Sequence, residues 1–221
     1  MASNDAPRTL FACALDVLTT ADAADKADKT SRYVSQWQSG EIAVVSGASD
    51  DASSVPDRPA RPANVAVVPP KQVKQGSRKA FVHSLVHAES FAIDLMWDMV
   101  ARFVALELPR AFYDDWVRIA GEEAQHYRAG DATSLAILRK NCAEETTHVG
   151  AGVRWFRFLC ERDGVDPAAK FQQIVPQYFH GALKPPFNKT ARDEAGLFED
   201  WYLPLSAVSK DAEVSSREEV Q

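Results

Sequence analysis

Two short stretches of this chain pair acids with an imidazole at the same spacing. Glu122–Tyr127 reads EEAQHY and Glu144–Val149 reads EETTHV, both Glu-Glu-x-x-His. On a helix, residues three apart occupy neighbouring parts of one face. Glu123 with His126, and Glu145 with His148, are therefore spaced so that each pair can reach a common cation. With 13 Glu and 5 His in 221 residues, chance supplies roughly 0.3 such spacings. Two occurrences, close together, set a metal site against the plainer reading of two solvated helix faces.

The surroundings favour the metal. Glu89 falls between Leu85 and Ile93 on an apolar helical stripe, Glu123 follows Phe112, Trp116 and Ile119, and Glu145 sits among Leu138, Cys142, Val149 and Gly152. A carboxylate in such a place is expected to be paired, protonated or metal-bound, because burying it bare is very costly. In di-iron and di-manganese helical bundles, two helices each give one Glu and two others each give Glu-x-x-His. Mixed carboxylate and imidazole donors suit iron or manganese and leave positions open for oxygen. The candidate metal ligands are thus Glu89, Glu123, His126, Glu145 and His148, with no sixth acid on a convincing stripe. His83 and His87 read as residues packing beside the ligands, near Asp94, and His180 falls in a loop.

The elements that must position these residues are helices. Apolar spacing predicts one over Pro7–Thr19, a polar one over Ala21–Gln38 closed by Gly40, and three long ones over about 78–107, 110–127 and 131–162. Pro109 can open the second long helix, and Asp131 can cap the third after Gly130. Ser46–Ser77 holds Pro56, Pro59, Pro62, Pro69 and Pro70 and reads as an extended connector lying over the helices; its P-x-x-P could also dock on an aromatic groove. No strand alternation is present. The expected class is all-α: a bundle of three long helices (78–162), preceded by an N-terminal helical segment (1–45) and a Pro-rich connector (46–77), and followed by short helices and a polar tail (163–221).

Composition narrows the function classes. A net charge of −6 argues against a nucleic-acid binder held by a broad basic patch. Cys13, Cys142 and Cys160 show no C-x-x-C spacing, which suits a reducing compartment. The opening MASNDAPRTLF has no apolar signal core, and no run approaches a membrane span, so a cytoplasmic protein is expected.

Several blocks together resemble a known family. PPKQV…HSLVHAESFAIDLMWD, LPRAFYDDWVRIAGEEAQHY, EETTHVGAGVRWFRFLC, YFHGALKPPFN and ARDEAGL are similar to the ferritin-like family catalogued as domain of unknown function 455, and ACALDVLTTADAADKADKT resembles its N-terminal part. The resemblance implies a ferritin-like bundle with a di-metal site, and Glu89, Glu123, His126, Glu145 and His148 match its ligand positions. The superfamily includes oxygen-activating hydroxylases as well as ferritins, so a di-metal oxidoreductase is the implied activity; a non-catalytic helical interaction protein or degenerate paralogue is the alternative.

One departure bears on the site. Family members carry a long segment between the two E-x-x-H blocks, whereas here Tyr127 runs almost directly into RAGDATSLAIL. A hairpin turning near Ala129–Gly130 would stagger the two motifs by about 18 Å along the helix axis. Unwinding of Arg128–Lys140, a steep tilt, or a helix from a second copy would each be a way to close the site. Uncovered helix faces would favour a homodimer.

Overall fold

The computed structural model describes residues 8–48, 50–63, 78–129, 135–179 and 181–206, with side chains left undescribed within 78–86 and 135–142. The readings that rest on Pro7, His83, Gly130, Asp131, Cys142, His180, the second half of the connector and the polar tail lie outside these residues. The described residues are helical, as expected, with one isolated parallel bridge between Leu183 and Ser206. None of their helices is long and apolar enough to cross a membrane. Two compact units result, Met1–Ile137 and Leu138–Gln221, and the division falls inside the third long helix.

The first unit is built from α1 (Leu10–Leu18), α2 (Ala23–Ser39), α3 (Arg78–Arg102) and α4 (Arg110–Ala129). The starts of α1 and α2 have a local cause. The Thr9 side chain accepts from the Ala12 amide, and the Asp22 carboxylate accepts from Ala24 and Asp25, satisfying amides that have no partner inside their own helix. Gly40 closes α2 at φ 80°, a left-handed position that suits glycine. The first long helix ends earlier than its apolar run suggests, at Arg102, and a 3₁₀ turn over Val104–Leu106 leads to Pro109 and α4.

Contacts far apart in sequence set the helix directions. Lys29 meets Asp16 and Thr20, while the Leu10 amide donates to the Val44 carbonyl, so α1 and α2 are antiparallel. Arg128 reaches Ser31 and Asp28, and Trp37 donates to Asp114, so α2 and α4 are antiparallel. Lys26 pairs with Asp94 and Thr30 accepts from Trp97, so α2 and α3 run parallel. A chain can join parallel helices only by crossing back along the bundle. The described part of the connector returns toward the α1–α2 turn and is fastened there: the Ala60 amide donates to the Leu18 carbonyl, and Arg61 bonds Ser90, pairs with Asp94 and covers the Phe91 ring.

Leu10, Val17, Leu18, Tyr33, Ile93, Trp97, Val100, Phe112, Val117 and Ile119 are almost wholly buried and form the apolar core of this unit. Each contributes about 1.5–3 kcal/mol relative to exposure. Within the same unit lies an ion cluster, with Lys26 0% and Asp94 3% exposed. Burial pulls the Lys26 ammonium below its ordinary pKa and pushes the Asp94 carboxyl above its own, while the bond between them opposes both shifts.

The second unit contains the remainder of α5 (Leu135–Arg162) with α6 (Pro167–Tyr178), α7 (Lys189–Glu194) and α8 (Glu199–Tyr202). Leu135–Lys140, which an unwound crossover would have required to be irregular, is helical. The core gathers Val153, Leu197, Trp201 and Tyr202, with Phe156, Phe171 and Phe187 packed against them. The residue that follows α7 packs beside Gly150, where a Cβ would stand in ordinary contact with the Ala195 Cα at 3.7 Å.

Candidate metal centre

Glu89 stands on the uninterrupted helix α3, and Glu123 and His126 stand one turn apart near the end of α4. Arg128 fastens that end of α4 to α2 through Ser31, the Ala27 carbonyl and Asp28. The pairing of α3 with α4 brings the three side chains together. His126 Nδ1 lies 3.4 Å from Glu123 Oε2 and 3.6 Å from Glu89 Oε2. All three are buried, at 6%, 3% and 4% exposure for Glu89, Glu123 and His126. Glu122, the neighbouring acid of the same motif, pairs with Arg118 at 2.7 Å, so the helix separates one acid into an ion pair and the other into the interior.

The electrostatics are those of two carboxyl groups crowded together in the interior. Burial pushes the Glu89 carboxyl above its ordinary pKa, and the adjacent Glu123 carboxylate pushes in the same direction, with His126 opposing. Two carboxylates this close cannot both ionise cheaply without a cation. One ligand atom from each of Glu89, Glu123 and His126 can be chosen so that all lie within 4.8 Å of one another. A cation held at about 2.0–2.2 Å from each donor places its ligands about 3.0–3.4 Å apart. The donor set and its separations fit a metal ion after small side-chain adjustments.

The second motif has a different setting. His148 is buried, and its Nδ1 lies 3.6 Å from Glu145 Oε2, but the Glu145 side chain is 54% exposed. The expectation that Glu145 points into an apolar interior is therefore corrected. Val149, on the same expected stripe, is also exposed, and the buried positions among the described side chains of α5 are His148, Ala151, Val153, Trp155 and Cys160. The physical reason is coverage. The apolar cluster of the second unit starts at Val153, and the turn carrying Glu145 precedes it. Periodicity identifies a shared face without saying what covers it.

The other histidine with a described side chain, His87, packs edge-on to Phe91 at 4.8 Å between ring centres, in keeping with a packing role. Asp94 takes Lys26 and Arg61. Lys26 had no sequence signal, because α2 reads AADKADKTSRYVSQWQS and its lysines resemble a solvated face.

Residues 19–129 and 128–203 match the family described as "Protein of unknown function (DUF455)". The two matched segments meet just after the first motif. No curated protein and no solved structure matches the chain. The family match spans well over half of the 221 residues, and the chain belongs to the DUF455 family.

Proposed function

We propose that this chain is a ferritin-like metal-binding protein of the di-iron or di-manganese carboxylate kind. The observation that carries the reading is the buried convergence of Glu89, Glu123 and His126. Apolar surroundings tolerate two acids and an imidazole together only when a proton or a cation balances them. In this reading Glu145 and His148 supply the second half of the ligand set, because they repeat the spacing of Glu123 and His126. Iron or manganese so held supplies redox chemistry toward oxygen, which makes the finer reading an oxygen-dependent oxidoreductase. The chain's own part is to hold the donors, keep water from the Glu89–Glu123 pair and orient the imidazole.

The half-exposed Glu145 favours one alternative, a non-catalytic helical protein that keeps the fold and its contacts without the chemistry. Metal per chain separates the two. The protein is reloaded anaerobically with ferrous iron or manganese, passed through a desalting column, and sized by light scattering. One or two ions per chain, lost in His126→Ala and reduced about tenfold in affinity by Glu145→Ala, support the site. A dimer in which metal content tracks dimer formation assigns the remaining ligands to a second copy. Well-folded protein that retains no ion overturns the proposal.

A further inference from the structure

Two of the family-like blocks, YFHGALKPPFN and ARDEAGL, contain no candidate metal ligand, yet they come together in the second unit. They line a cavity of about 500 Å³ whose walls include Phe179, Leu183, Lys184, Phe187 and Arg192. Among the described residues the lining contains two cationic side chains and no acid. In a chain of net charge −6, such a concentration of positive charge calls for an explanation.

Arg192 is held in place by aromatic rings rather than by a carboxylate. Its guanidinium lies 5.0 Å from the centre of the Phe187 ring and 4.4 Å from that of Tyr202. Those rings meet each other edge to face at 5.0 Å. Two acids nearby are drawn to a different cation: Lys189 takes Asp193 Oδ2 at 2.9 Å and Glu199 Oε2 at 3.0 Å. Among the described residues Arg192 and Lys184 have no carboxylate partner. The Tyr202 hydroxyl, on one of the rings that Arg192 covers, is buried and also has no partner among the described residues. Nearby, the Leu183 amide donates to the Leu205 carbonyl at 3.1 Å, fixing one wall on the chain that follows α8. The guanidinium is thus preorganised by stacking, with its donors unspent on acids.

We propose that this cavity binds a small organic anion, with a phosphate or carboxylate group on Arg192 and Lys184 and a flat apolar body against Phe179 and Phe187. Guanidinium recognises both oxyanions through paired N–H donors, and the aromatic walls recognise the body. Small-molecule sites commonly combine apolar walls with a few convergent polar groups. The inference uses no residue of the metal cluster and stands whether or not a metal binds there.

The test uses the full chain and three probes: phenyl phosphate, benzoate and inorganic phosphate, each titrated by calorimetry at low ionic strength. At least one aromatic anion should bind about tenfold or more tightly than inorganic phosphate, because only it reaches the aromatic walls. Tighter phenyl phosphate names a phosphate ligand, and tighter benzoate a carboxylate. Lys184→Gln alters an exposed side chain and should weaken the preferred probe about threefold without unfolding the protein. Arg192→Gln should weaken it tenfold or more, and Arg192→Lys should restore only part of the loss, because it returns the charge without the fork. Lys170→Gln, on α6, serves as the control and should leave affinity unchanged. Aromatic anions that bind no better than inorganic phosphate, or affinity indifferent to both Lys184→Gln and Arg192→Gln, would overturn the proposal.

Discussion

The two Glu-x-x-His motifs have the same spacing and different environments. Glu123 and His126, on α4, are buried together with Glu89, on α3. Glu145 is more than half exposed, while His148 beside it is buried. One motif therefore shows the electrostatic tension of a site, with a carboxyl pushed up by burial and by its neighbour. The other keeps only its imidazole inside. The difference teaches that a ligand motif acquires its chemistry from whatever excludes water around it.

The contrast can be broken most forcefully through the ion cluster in the first unit. Lys26→Met removes the fully buried cation beside Asp94 and should destabilise that unit by about 3–5 kcal/mol. Amide exchange should accelerate in α2, α3 and α4 and stay unchanged in α6–α8. Equal acceleration in the second unit would mean that the two environments are not independently maintained.

A smaller effect compares the motifs directly in metal-free protein. Glu123→Leu replaces a buried acid by hydrocarbon of similar size and should be stabilising by about 1–3 kcal/mol, because no cation then requires the carboxylate. Glu145→Leu, at an exposed position, should fall within about 0.5 kcal/mol of the parent. Denaturant midpoints in the presence of a chelator measure both. Matching shifts would erase the distinction drawn here.

The smallest effect is a pH dependence confined to the first motif's surroundings. Glu89 has a folded pKa above its ordinary 4.5, so between the two values the folded protein holds a proton that the unfolded chain has released. This contribution makes metal-free stability fall as pH rises from 4.5 through the folded value, and the cost is fully present above it. Unfolding midpoints across that window should show the decline, and Glu89→Gln should flatten it. A flat profile in the parent would remove the electrostatic half of the comparison.

Much of this was legible in the sequence. The all-helical class followed from 3.6-residue spacing, and Pro109 and Gly40 marked boundaries that the structure keeps closely. Glu89, Glu123 and His126 stood out because acids on apolar stripes are rare, and the structure brings these three side chains close to one another. Other features left no local trace. Lys26 finds its acid 68 residues away, and nothing near it in sequence marks it as interior. Arg61 sits in a Pro-rich stretch that reads as a spacer, yet it joins Asp94, Ser90 and Phe91. Glu145 shared a helical stripe with apolar residues, but coverage depends on elements that periodicity does not describe.

The parallel placement of α2 and α3 also orders events in time. Antiparallel neighbours such as α3 and α4 can dock across a short turn, as the ring contact between Phe103 and Phe112 does across nine positions. Lys26 can meet Asp94 only after a loop of 68 residues has closed. Relative to a ten-residue loop, that closure costs about 1.7 kcal/mol more in chain entropy. The two helical hairpins should therefore form early and the crossover late. Glu89, Glu123 and His126 all belong to the α3–α4 hairpin, so their cluster can assemble before the ion cluster behind it locks. A metal ion present during refolding would then act as a nucleating clamp, speeding the search rather than merely stabilising its end point.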